Sequence, residues 1–346
     1  MVSNTQHREN EHAGYAARIS LIAGLAILVA AISVFAATVG AYPVSVAQFF
    51  TILSGTASQD DGTAATVLLQ VRLPRIAAAL LVGASLAAAG AVYQGLFRNP
   101  LVSPDILGVS TGAGLGAVLG IFLSLPLAFI QLFAFIGGLA TVGLVYAIAS
   151  SVRGREPVLV LVLAGVVVGS LAGAMISLMK VLADPYDQLP AITFWLLGSL
   201  ASTRPEDVVS IVPAVIIGLI PLILLRWRIN VLSLGDEEAR ALGVEAGRIR
   251  LVVIAAATLM TASAVAISGV IGWVGLVIPH IARMIVGPNF NRLLPTSMLM
   301  GAGYLLLVDT CARTMAQVET PLGILTAIIG APFFLWLLAR GKQGWT

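Results

Sequence analysis

The sequence is short of what an enzyme or a soluble domain would use. Cys311 is the only cysteine in 346 residues, which excludes a disulfide framework and a cysteine-based metal site. Histidine is almost as scarce. His7 and His12 fall in a polar N-terminal stretch, and His280 follows Pro279 with no second histidine or acid at i+4, so it reads as helix-end packing rather than a metal ligand. The only lysines are Lys180 and Lys342, neither in a glycine loop, and no G-x-x-x-x-G-K-[ST] occurs, so the chain has no P-loop with which to hydrolyse ATP. Charge is low overall: 10% of residues carry it, with a net +3 and no basic stripe of interleaved aromatics, which argues against nucleic acid as a partner.

Apolar length takes the place of charge. A hydrophobic fraction of 59% and a mean hydropathy of +1.01 lie outside the range of soluble globular chains. Segments of roughly 20 apolar residues recur and are apolar on every face, which indicates membrane helices rather than barrel strands. The expected fold is all-α and polytopic, with about ten transmembrane helices over 19–41, 66–96, 103–124, 127–150, 157–182, 208–226, 250–270, 275–287, 295–316 and 321–340. Residues 1–18 read as a cytoplasmic tail, 19–340 as one permease-like transmembrane domain with a cytoplasmic loop over 231–248, and 341–346 as a second tail. The first apolar run is too long for a signal peptide and reads as a retained span. Segment 190–202 is too short to span, and its Phe194 and Trp195 suit an interfacial or re-entrant helix. The eighth span is interrupted by Gly272, Gly275 and Pro279, which membranes tolerate only where protein or a water path covers the backbone.

Loop charges orient the chain. With the N-terminus inside, the inner loops carry Arg98, Arg153, Arg155, Arg226, Arg228, Arg240, Arg248, Arg250, Arg283, Arg292, Arg340 and Lys342. The outer loops carry Asp60, Asp61, Asp184, Asp187, Glu206, Asp207 and Glu319. Arg72, Arg75 and Arg313 break the pattern by standing on the outer side. They read either as snorkelling side chains or ion pairs to a neighbour such as Asp309, or as a positive rim for an acidic external partner. Gly108, Gly112, Gly116 and Gly120 on the third span, and Gly165, Gly169 and Gly173 on the fifth, form small-residue rows suited to close helix packing or to lining a path.

Candidate chemistry is sparse. Gly108-Val-Ser-Thr-Gly112 matches a nucleophile elbow, yet no strand precedes it and no histidine stands near, so a hydrolase at Ser110 is a minor reading. An ion-coupled carrier or channel would need intramembrane carboxylates, for which Asp309 and Asp105 are the candidates. The most distinctive stretch is Leu232–Val244, LSLGDEEARALGV, a charged segment between two apolar ones. Ser233 or Asp236 can cap a short helix with Asp236, Glu237 and Glu238 in its first turn, while Leu234, Ala241 and Leu242 supply an apolar face. It reads as a solvated connector or as a docking helix for a soluble partner.

Four blocks then resemble the FecCD-type permeases, the membrane subunits of ABC importers for ferric siderophores, haem and cobalamin. They are Val71-Arg-Leu-Pro-Arg75 continuing through GASLAAAGAVYQGLFRNPLVSPDILGVSTGAG to Gly114, Leu161-Val-Leu-Ala-Gly165, Leu234-Gly-Asp-Glu-Glu-Ala-Arg-Ala-Leu-Gly243, and Ser268 to Arg283 with Leu293-Leu-Pro295, Pro321-Leu-Gly323 and Gly330-Ala-Pro332. The resemblance implies a type II importer architecture in a bacterial or archaeal cytoplasmic membrane. It implies a second permease subunit, identical or paralogous, two cytoplasmic ATPases that carry the ATP and magnesium, and an external binding protein. This chain would itself be non-catalytic and bind no cofactor or metal. Leu234, Gly235, Asp236, Glu237, Glu238, Ala239, Arg240, Leu242 and Gly243 would form the ATPase-coupling helix. Arg72, Arg75 and Arg313 would pair with acids of the binding protein. Asn99 and Leu101 would belong to the inner gate, and the path would run between paired fifth helices past Gly165 and Gly169. The second gate loop is small and hydroxylated in cobalamin-transporting members. Here it reads Glu156-Pro-Val-Leu159, so an apolar constriction at Val158 and Leu159 is expected. Ferric siderophore is the expected cargo, with haem, cobalamin and molybdate or tungstate open.

Overall fold

The computed structural model describes residues 2–56, 61–152, 156–315 and 318–340. Asp60, Arg153, Arg155, Lys342 and the tail 341–346 lie outside the described residues. Within them the chain is helical. α1 (Val2–Thr38), α2 (Val46–Leu53) and α3 (Gly62–Thr66) lead through a π turn, Val67–Arg72, into α4 (Leu73–Leu96). A 3₁₀ turn, Pro104–Leu107, precedes α5 (Val109–Phe122), and α6 (Leu127–Ser151), α7 (Pro157–Leu182), α8 (Gln188–Leu197) and α9 (Pro205–Leu224) follow. The short α10 (Arg226–Leu232) and α11 (Asp236–Ala241) come before α12 (Ala246–Ser268), α13 (Val274–Val286), α14 (Phe290–Ala312) and α15 (Leu322–Arg340). α1 runs unbroken through the stretch expected as a polar tail, so the boundary placed at residue 19 marks a change of composition, not of conformation.

Seven of the described helices are long and apolar enough to cross a membrane, and α5, α13 and α15 are shorter apolar helices that complete the ten expected passes. α4 is the axis. Its partners come close because glycine faces glycine: a β-carbon on Gly90 would collide with the Gly275 carbonyl, and one on Gly83 with that of Gly301. In lipid, where apolar contact alone gives little preference for protein over acyl chain, such backbone-to-backbone approach is what holds helices together. α4, α12 and α14 bury most of their spans, whereas 20–38 of α1 and the spans of α6, α7 and α9 bury only 11–28% of theirs. α7 is bare along a face of Leu163, Val166, Val167, Leu171, Val181 and Leu182.

Non-helical backbone occurs at depth only where the protein satisfies it, as a dry surrounding requires. α5 has 14 residues, about 21 Å of helix, and the 3₁₀ turn extends its inner end. The interruption between α12 and α13 is covered by α8 and α15: Ser199 N–H donates to the Ser268 carbonyl at 2.8 Å, and Leu322 N–H to that of Gly198 at 2.9 Å. Segment 190–202 is therefore tucked against the interrupted helix rather than lying on the surface, with Ile192 and Leu200 fully buried.

Candidate coupling surface and gate

The 231–248 loop is more built than its sequence suggested. α10, where no helix is expected beyond the end of the sixth span at residue 226, buries Ile229, Val231 and Leu232. Asn230 fastens it to the start of α14: its Oδ1 accepts from Phe290 N–H at 2.7 Å, and its Nδ2 donates to Asn289 Oδ1 at 3.2 Å. From this footing Leu234 and Gly235 turn into α11. Gly235 sits at φ +139, and a β-carbon there would collide with the Glu238 carboxylate and lie 3.5 Å from Arg98 Nη1. Asp236, Glu237 and Glu238 occupy the first turn, where unpaired backbone N–H groups favour anions. The far end closes as a Schellman turn, with Val244 N–H bonded to the Ala239 carbonyl at 2.8 Å, Gly243 N–H to that of Arg240 at 2.9 Å, and Gly243 at φ +75.

The apolar residues of this turn divide in an informative way. Ala239 and Val244 pack inward, while Leu234 and Leu242 are 60% and 55% exposed beside exposed Glu237, Glu238 and Arg240. Two leucines are thus held out of the fold among charges, an exposed apolar pair on an otherwise polar turn. A partly buried ion pair holds the turn to the bundle: Arg250 Nη2 on α12 lies 2.7 Å from Asp236 Oδ1. Arg250 had been counted among the inner-loop cations. It is inside the first turns of α12, where a guanidinium needs an acid.

At the expected gate, Asn99 Oδ1 accepts from Leu101 N–H at 2.9 Å and fixes the turn after α4, leaving Leu101 exposed. Across from it Val158 is half-buried and Leu159 exposed at the start of α7. Arg98 Nη2 faces Glu156 Oε1 at 3.8 Å, joining the two loops. Gly165 does not open onto a path: it is buried where a β-carbon would collide with the Ile106 carbonyl, so its role is packing. Gly169 meets only the Gly108 α-carbon, at 3.9 Å, and is half-buried. In α5, Gly112 and Gly116 press against Gly137, Thr141 and Phe133 of α6.

The outer arginines converge, but they point inward. Arg72 Nη1 donates to the Ala37 carbonyl at 2.6 Å and its Nη2 to that of Tyr42. Arg313 Nη1 donates to the Val39 carbonyl at 2.6 Å and its Nη2 to that of Ala36. Together they cap the C-terminus of α1, whose last carbonyls have no helical partner and whose dipole favours cations. A β-carbon on Gly40 would sit 2.7 Å from Arg72 Nη2, so the cap also requires a glycine. Arg75 meets two acids, Nη2 to Asp309 Oδ1 at 2.9 Å and Nη1 to Glu319 Oε1 at 2.8 Å. An exposed rim of three free cations is thus replaced by a buried cluster, because the charges are nearer to unsatisfied carbonyls and to Asp309 than to water. Glu319, 40% exposed, is the one acid of this cluster that reaches the surface.

Ser110 is buried on α5 and donates to the Asp105 carboxylate. The pair satisfies itself, with no strand before it, so nothing of a nucleophile elbow remains beyond the letters. Among the described residues no three His, Cys, Asp or Glu side chains come together as a metal site.

Comparisons with known proteins place the chain in a family and a fold. The sequence model of the FecCD transport family matches residues 26–340. The molybdate import system permease protein MolB of Haemophilus influenzae is 43% identical over 327 residues, which is 94% of this chain and 96% of that protein. The Fe(3+)-citrate import system permease protein YfmE of Bacillus subtilis is 41% identical over 320 residues, 91% and 93% of the two chains. A solved chain described as an inward-facing conformation of a metal-chelate type ABC transporter superposes with a TM-score of 0.84 at 40% identity, covering 93% of this chain and 99% of that one.

Proposed function

This chain belongs to the FecCD transport family, as a multi-pass permease of the ABC importer class, and from that premise we propose that it carries a ferric chelate inward by ATP-driven alternating access. The observation that carries the reading is the Leu234–Gly243 turn, an acidic helix with two leucines presented to water and an ion pair at its base. A cleft of a cytoplasmic ATPase is the partner such a turn fits, and this chain has no P-loop of its own. Two ATPases would carry ATP and magnesium, and a second permease copy or paralogue would meet the bare face of α7. The membrane would be the bacterial or archaeal cytoplasmic membrane.

The mechanism follows from differential contact. A soluble partner drives a conformational change only if it binds the two permease states unequally. Closure of the ATPases would move α11, and α11 is joined through Asp236 to Arg250 on α12, so the force enters the central helices rather than the lipid-facing ones. At the other end an external binding protein would deliver the chelate. Of the three outer arginines, Arg75 is the one whose partner Glu319 is accessible, so an acidic lobe of the binding protein can engage it by replacing Glu319. Arg72 and Arg313 would contribute through the α1 cap and the field they add.

The cargo is argued from the relatives: the Bacillus relative named above is a ferric citrate permease. A second reading, molybdate, is favoured by the Haemophilus relative, with which the match is nearly end to end. Both are tested by ATP hydrolysis of the permease–ATPase complex in nanodiscs, with its binding protein loaded with ferric siderophore, ferric citrate, haem, cobalamin or molybdate. Stimulation by a ferric chelate alone supports the first reading and stimulation by molybdate the second. Transport by the single chain on an ion gradient, without ATPase, would overturn both.

A further inference from the structure

We propose that Arg98 is the link by which movement of α11 reaches the two inner gate loops, a role that rests on the importer reading above. Three observations meet in this residue. Its backbone lies in the left-handed region at φ +48, at the C′ position of a Schellman end: Arg98 N–H bonds to the Gly95 carbonyl at 3.3 Å and Asn99 N–H to that of Gln94 at 3.2 Å. The same position after α11 is filled by Gly243. Glycine is what this site favours, and a non-glycine residue kept there points to a side chain doing something glycine cannot.

The side chain shows what that is. One guanidinium nitrogen faces Glu156 at 3.8 Å, immediately before α7. Another lies 3.5 Å from where a β-carbon of Gly235 would stand, on the same side as the Glu238 carboxylate at the head of α11. Asn99 and Leu101 follow Arg98 in the chain, and Val158 and Leu159 follow Glu156. The coupling turn and both gate loops therefore come together around one residue. The arginine and glutamate side chains are 47% and 59% exposed, so water competes for each and the pair adds little stability. Weakness suits a contact that is made and broken in every cycle. It sets this pair apart from Arg75–Asp309, which is buried and permanent.

The test uses the permease–ATPase complex in nanodiscs, with Cys311→Ser and Leu101→Cys introduced and a water-soluble maleimide as the probe. In that parent, labelling of Leu101→Cys is expected to change about tenfold between the nucleotide-free complex and the complex trapped with ATP and vanadate. Adding Arg98→Gly places the favoured residue at the left-handed position, so the melting temperature should stay level or rise and the ATPases should still co-purify. The nucleotide dependence of labelling should then fall below about twofold, and Arg98→Lys, which keeps the charge, should retain more of it than Arg98→Gly. A tenfold change persisting in Arg98→Gly would overturn the link and leave an idle surface contact. Loss of ATPase co-purification would overturn it too, placing Arg98 in the docking surface. A parent that binds no ATPase, or shows no nucleotide dependence, would instead bring down the importer reading and this inference with it.

Discussion

The guanidinium of Arg75 on α4 and the carboxylate of Asp309 on α14 form a buried ion pair, Nη2 to Oδ1 at 2.9 Å, with Nε donating to both carboxylate oxygens at 3.0 Å. The two residues are 234 positions apart and fasten the outer ends of two central helices. Arg75 keeps Glu319 if Asp309 is lost, but Asp309, 1% exposed, has no second cation within bonding distance among the described residues. Removing Arg75 strands that carboxylate in a dry place, at a cost of about 3–5 kcal/mol, so Arg75→Met is expected to lower the melting temperature sharply in detergent. Arg75→Met combined with Asp309→Leu should recover most of that loss, since replacing the whole pair costs far less than breaking it. A single substitution that melts like the parent would show that the pair carries no such load.

Glu319 is the removable half of the same cluster. Glu319→Gln keeps the Asp309 contact and takes a competing acid away from Arg75. Affinity of the complex for its loaded binding protein should rise, by a few-fold and more at low salt, because an exposed carboxylate is worth about 0–1 kcal/mol. Surface plasmon resonance at two ionic strengths measures this. Unchanged affinity would mean the binding protein does not approach Arg75.

The docking face of α11 predicts a clean loss of assembly. Glu237→Arg with Glu238→Arg reverses the two exposed acids without touching Ala239 or the Asp236–Arg250 pair, so the permease should fold and elute as before. Co-purification of the ATPases should disappear. Stoichiometric recovery of both subunits would return the turn to the status of a solvated connector.

Arg250→Gln addresses the base of that turn. Arg250 is 5% exposed, and Asp236 is its ion-pair partner. Without the pair, backbone amides over 236–244 should exchange with deuterium about tenfold faster or more, while those in the middle of α12 keep their protection. Equal exchange in both proteins would show that Leu232, Ala239 and Val244 hold the turn without help.

Much of this was legible in the sequence because lipid imposes simple rules. Ten apolar segments and the interrupted eighth span follow from run length and glycine spacing, and the helices match them within a few residues apart from α1, which runs on through the expected tail. What was not legible depends on distant pairs. Nothing local to Arg72 or Arg313 says that their hydrogen-bond acceptors are carbonyls at the end of α1 and just past it, 35 and 274 residues away. α10 was not legible because Arg226 and Arg228 break the apolar run, and Ile229, Val231 and Leu232 alone are too short a pattern to declare a helix. Gly165 carried the right composition for a path and the right composition for packing, and only the Ile106 carbonyl decides between them. Arg250 did carry a usable sign, an arginine one turn inside an apolar helix with an acid 14 residues before it.

The cap on α1 has one further consequence. Every acceptor that Arg72 and Arg313 use there is a main-chain oxygen, at Ala36, Ala37, Val39 and Tyr42. The first helix is recognised at its outer end by the shape of its terminus, not by its side chains. Side-chain identity in this helix matters where it packs, at Ala36 and Ala37 in the core and at Val29 and Ile32 against Gly303, and the chain must turn at Gly40. The clasp itself is indifferent to the side chains of what it holds, so new sequence on this helix is constrained by its packing face and not by its grip.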